Sequence, residues 1–114
     1  MKGIVKKVNL KEYKTKDGRT FKKFNFEVDV EMPNGDIKSR KGSYSEDFAK
    51  RYFGYCKVKA KDLVGKEVSV ALAKKMIEVE GEKRSYEYIR FLNCLDKDGN
   101  SIIMPSNNET DIDF

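Results

Sequence analysis

The strongest constraint on this chain is the way its apolar residues alternate. Between residues 21 and 31, Phe24, Phe26, Val28 and Val30 occupy every second position, with Lys23, Asn25, Glu27, Asp29 and Glu31 between them. A period of two sends successive side chains to opposite faces of a strand, so this stretch is a strand with one apolar face. Residues 3–13 alternate too, and predict Ile4, Val8 and Leu10 on one face and Val5, Lys7, Asn9, Lys11 and Tyr13 on the other. Asp17-Gly18 and Asn34-Gly35 mark turns at either end of the second strand. A third strand is expected over residues 37–44.

The period then changes. Ser45 is placed as an N-cap, and Glu46 and Asp47 follow where a helix favours acids. Phe48, Ala49, Tyr52, Phe53 and Cys56 form one apolar helical stripe, which predicts a helix ending near residues 54–57. Alternation returns over residues 66–73, with Val68, Val70 and Leu72 together. It returns again over 84–95, with Ile89 and Phe91 on one face and Tyr86, Tyr88 and Arg90 on the other. Residues 78–83 read as a loop or hairpin tip, and Ile102, Ile103 and Met104 as a short edge strand. The expected class is all-β with one helix. Three strands, a helix and two strands is the order of an OB-fold, a five-stranded Greek-key barrel. The competing architecture is an α+β sheet with one packed helix.

Composition removes several chemistries. The chain of 114 residues has no His, which excludes Ser-His-Asp triads, Cys-His dyads and His-bearing zinc sites. Cys56 and Cys94 are too few to complete a metal site and read as small buried hydrophobes. No metal, cofactor or catalytic residue is expected. No apolar run approaches the ~20 residues of a membrane span, and the amino terminus lacks an export signal, so the expected setting is cytoplasmic. The 24 Lys and Arg exceed the 19 Asp and Glu, and all of the bases lie at or before Lys97. A basic body therefore precedes a short acidic tail. The expected division is a domain over residues 1–105 and a flexible tail over 106–114.

A basic body implies a polyanionic partner. Single-stranded nucleic acid needs cations for its phosphates and flat side chains for its bases. Both recur along the strands: Lys7, Lys11 and Tyr13; Phe21 and Lys23; Arg40, Lys41 and Tyr44; Lys74 and Lys75; Arg84, Tyr86, Tyr88 and Arg90. In an OB-fold the ligand crosses strands two and three between the loops joining strands one–two and four–five, here residues 14–20 and about 75–83. No feature suggests a base-edge code, so little sequence preference is expected.

The chain resembles the single-stranded DNA-binding proteins of bacteria and their phages. The resemblance rests on Leu63-Val64-Gly65-Lys66-Glu67-Val68-Ser69-Val70, on Tyr86-Glu87-Tyr88-Ile89-Arg90-Phe91-Leu92, and on the terminal Asp111-Ile112-Asp113-Phe114. It implies a homodimer or homotetramer that coats single-stranded DNA in replication, recombination and repair. It also implies an acidic tip, Asp111, Ile112, Asp113 and Phe114, that docks partner proteins. Asp113 stands where bacterial members carry Pro, and no Trp is present, features that favour a phage or mobile-element version. Two other readings stand beside this one. One is an OB-type protein-interaction module. The other is a divalent-metal nuclease using Asp29, Glu31 and Asp36.

Overall fold

The structure, a computed structural model, describes residues 1–104. The boundary expected at residue 105 and the tip Asp111, Ile112, Asp113 and Phe114 lie outside the described residues. The strands are β1 (Lys2–Lys14), β2 (Thr20–Glu31), β3 (Ile37–Ser45), β4 (Glu67–Val79) and β5 (Glu82–Cys94), with one α-helix, α1 (Glu46–Tyr55), between β3 and β4. A 3-10 turn, Ala60–Asp62, precedes β4. Every ladder is antiparallel, and the sheet runs β3-β2-β1-β4-β5. The mostly-β, one-helix expectation holds. Among the described residues no ladder joins β3 to β5, so backbone pairing leaves the sheet unclosed. None of the described helices is long and apolar enough to cross a membrane.

Local chemistry builds these elements as the alternation predicts. Gly18 and Gly35 take φ of +87° and +90°, a conformation that favours glycine, and their N–H groups donate to the Thr15 and Met32 carbonyls. Ser45 caps α1 by accepting the Phe48 N–H at 3.2 Å. Phe24, Phe26, Val28 and Val30 are all buried, and they meet Ala49, Tyr52 and Phe53 of the helix stripe. Val5, Leu63, Val68, Val70, Ile89, Leu92 and Cys94 complete the core.

Two β-bulges correct the predicted faces. In β1 the register passes from Val5–Val28 to Lys7–Glu27, leaving Lys6 as an extra residue. Val5 is therefore buried while Ile4 is 44% exposed, and Val8 and Leu10 lie opposite Phe26 and Phe24. The apolar row is Val5, Val8 and Leu10, not Ile4, Val8 and Leu10. A bulge shifts everything beyond it by one position, which inverts faces in a two-residue period. In β5 the register passes from Ala71–Phe91 to Leu72–Ile89, leaving Arg90 unpaired. Phe91 is thus 47% exposed and does not share the buried face of Ile89; Leu92 takes the core position.

The β4–β5 hairpin also exceeds its prediction. The stretch expected as a loop over residues 75–83 is paired ribbon up to a turn at Glu80-Gly81, where φ is +53° and +82°. Ile102, Ile103 and Met104 form no strand. One bridge, Leu95–Ser101, precedes them, and Ile102 and Met104 pack against the core as irregular chain.

β3 meets β5 through side chains. Arg40, Gly42 and Tyr44 lie on one face of β3, opposite Val28, Phe26 and Phe24 of the core row. Each addresses β5 in turn. Arg40 Nε lies 3.0 Å from Glu87 Oε1. A Cβ on Gly42 would sit 2.7 Å from the Ile89 carbonyl oxygen. The Tyr44 hydroxyl donates to the Leu92 carbonyl and accepts the Leu92 N–H, both at 2.7 Å. The Tyr52 hydroxyl takes over one step further along, accepting the Cys94 N–H at 2.8 Å and donating to the Ile102 carbonyl at 2.7 Å. Two phenols thus supply β5 with partners that a neighbouring strand would otherwise give.

Candidate nucleic-acid interface

The outer face of β1, β2 and β3 is built in cross-strand rows. Lys7, Glu27 and Lys41 stand side by side, followed by Asn9, Asn25 and Ser43, then Lys11 and Lys23, then Tyr13 and Phe21. The β5 end of the β4–β5 hairpin rises beside this face. Between them runs an open groove of about 1230 Å³. Among the described residues, Lys6, Lys7, Lys11, Arg40, Lys41 and Arg90 contribute cations to it, and Glu27 and Glu87 the only carboxylates, a net charge of +4. Both carboxylates are engaged. Glu27 accepts from the Ser39 hydroxyl at 3.0 Å and pairs with Lys6 at 3.4 Å; Glu87 pairs with Arg40. The Ser39 hydrogen bond, joined by the hydrogen bond and charge of Lys6 and the charge of Lys41, holds the Glu27 carboxyl below its ordinary pKa against the opposing effect of desolvation. Lys7, Lys11, Lys41 and Arg90 make no ion pair among the described residues.

Aromatic surfaces stand at both ends. Tyr13 and Phe21 stack across β1 and β2 with centroids 5.4 Å apart and planes 16° from parallel. Asn25 donates to the Tyr13 hydroxyl at 3.2 Å, which fixes the ring's tilt. Lys11 and Lys23 lie 5.6 and 5.8 Å from the Tyr13 ring centre. These two lysines are direct cross-strand partners, an arrangement that costs stability through like-charge repulsion and that an anion between them would relieve. At the other end Tyr86 and Tyr88 approach to 5.9 Å, with Tyr86 exposed and Tyr88 half-buried.

The groove gathers eight of the fourteen residues singled out from the sequence: Lys7, Lys11, Tyr13, Arg40, Lys41, Tyr86, Tyr88 and Arg90. Phe21 and Lys23 border it through their contacts with Tyr13. Lys74, Lys75 and Arg84 lie outside it on the exposed hairpin, where Arg84 pairs with Glu82 at 3.4 Å. Tyr44 is partly buried and does not line the groove: its ring packs among Phe26, Phe48, Tyr52 and Phe53 and its hydroxyl is bound to β5. The alternation of β3 explains this, because Tyr44 shares the inward face of Gly42 while Lys41 takes the outward one. Lys6 was missed: only the bulge makes it a groove residue beside Lys7. Glu27 and Glu87 were missed because their carboxylates acquire roles only through Lys6, Ser39 and Arg40, which are distant in sequence.

Asp29, Glu31 and Asp36 do not converge. Among the described residues no three Asp, Glu, Cys or His side chains approach closely enough to hold a metal ion. A second, smaller pocket of about 510 Å³ lies between α1 and β1–β2, lined largely by Val8, Leu10, Phe24, Ala49, Phe53 and Val58. Comparison with known protein families, with curated proteins and with solved structures finds no match to this chain.

Proposed function

We infer that this protein binds single-stranded DNA without strong sequence preference, and that its fold is an OB-type barrel. The observation that carries the binding reading is the groove itself. Lys7, Lys11, Lys41 and Arg90, which make no ion pair among the described residues, line it, and aromatic pairs stand at both ends. Phosphates would take Lys7, Lys11, Lys41 and Arg90, and bases would stack on Tyr13–Phe21 and Tyr86–Tyr88, each stacked base contributing ~1–3 kcal/mol. A groove of this kind covers ~4–16 nucleotides per subunit. The barrel reading is supported by the strand order and by the way Arg40, Gly42 and Tyr44 meet Glu87, Ile89 and Leu92 in ascending sequence, as two parallel neighbours would. The acidic tip would recruit proteins of replication and recombination, its Phe114 acting as an aromatic hook beside charges. A homo-oligomer is part of the same reading.

The apolar pocket under α1 favours a second reading, in which the domain chiefly binds protein. One titration separates the two. Oligo-dT, matched duplex and RNA are titrated at several salt concentrations, following tyrosine fluorescence. Binding of oligo-dT well above duplex is expected, with quenching and a log–log salt slope of several times about −0.7. Absence of binding at low salt refutes the DNA reading.

A further inference from the structure

The β4–β5 hairpin projects beyond the core. Every residue from Lys74 to Tyr86 is exposed, so no buried apolar surface fixes this arm against β3. Among the described residues it makes one side-chain hydrogen bond to the strands across the groove, Arg40 Nε to Glu87 Oε1 at 3.0 Å, at the arm's base. Both side chains are about three-quarters buried, at 24% and 22% exposure. Arg40 also donates through Nη1 to the Ser39 carbonyl at 2.9 Å, so its guanidinium is held from two sides. A carboxylate is an anomaly in a groove built for a polyanion, because it repels each phosphate that enters.

We propose that Arg40 and Glu87 are positioning residues, a latch that holds the β4–β5 arm beside β3 and sets the opening of the groove. Arg40 is then not a phosphate ligand: its charge is committed to Glu87. The inference rests on the DNA-binding reading for its functional consequence, but the latch exists in the free protein.

The variant E87Q tests it because the two explanations give opposite signs. If Glu87 acts only by its charge, removing it tightens binding by about two- to threefold, from one less repulsion at a few ångströms in a wet groove. If it latches the arm, E87Q weakens oligo-dT binding by about fivefold, the worth of a well-placed ion pair. The charge-swapped pair R40E/E87R keeps the net charge and the contact, and should bind more tightly than either R40E or E87R alone. Backbone 15N relaxation of the free protein should show lower order parameters for residues 74–86 in E87Q, with the β1–β2 amides unchanged. Equal or tighter binding by E87Q overturns the latch, as does a swap no better than the worse single variant. If the wild type does not bind oligo-dT, the DNA reading fails. Relaxation then decides the latch alone, and an arm equally ordered in E87Q and wild type overturns it.

Discussion

Replacing Tyr44 by phenylalanine removes one oxygen atom and leaves the ring. That oxygen satisfies both backbone groups of Leu92, accepting its N–H and donating to its carbonyl at 2.7 Å each. Leu92 is fully buried, and no ladder joins β3 to β5 among the described residues. The variant therefore leaves a donor and an acceptor stranded beside an apolar ring. Each of the two stranded groups costs about 1–3 kcal/mol, so Tyr44→Phe should lower unfolding free energy by roughly 2–6 kcal/mol. For a domain of about 100 residues each kcal/mol lowers Tm by ~4–8 °C, so the expected drop is at least roughly 8 °C. Urea and thermal unfolding followed by circular dichroism measure it. Affinity for oligo-dT, taken well below the variant's Tm, should be unchanged because the ring packs under α1 and not in the groove. A loss under about 0.5 kcal/mol, the range of an ordinary surface substitution, would refute the view that this phenol bridges the sheet's two edges.

Gly42→Ala probes the same seam from the backbone. An added Cβ would lie 2.7 Å from both the Ile89 carbonyl oxygen and the Phe26 ring. A destabilisation of about 1–3 kcal/mol is expected from such overpacking, and a neutral result in urea unfolding would mean the strands part freely here. Alkaline pH acts on the buried phenols and thiol. Burial raises Tyr44 and Tyr52 above the ordinary value of 10.0 and pushes Cys94 up from 9.0 to about 12. Each folded-state pKa exceeds its unfolded value, so the stabilisation is complete below about pH 9 and is lost progressively as pH rises above it. The urea midpoint should fall between pH 9 and 11, less steeply in Tyr52→Phe than in wild type; equal slopes would remove Tyr52 from the account.

How much was legible in advance varies by element. The row Phe24, Phe26, Val28 and Val30, the Ser45 cap and the Asp-Gly and Asn-Gly turns are local, and each was readable because a few neighbouring residues decide it. Naming Arg40, Lys41 and Tyr44 together passes over the period of two, which puts Lys41 on the face opposite Arg40 and Tyr44, so Tyr44's inward position is within reach of the same rule. Lys6 was not within reach. Its place depends on which β2 residue pairs with Val5, and β1 alone carries no sign of a bulge there.

By itself, the sequence determined the strand-helix-strand order, the core row of β2 and a basic body rich in aromatics, since periodicity and charge are properties of short stretches. Only the tertiary structure decided which of those charges are paired among the described residues. It brought Arg40 to Glu87, Lys6 to Glu27 and Tyr44 to Leu92, partners as far as 48 residues apart. Pairing of that range follows from how strands register and bulge against one another. The balance is set by the packing of the whole sheet, and no segment holds it alone.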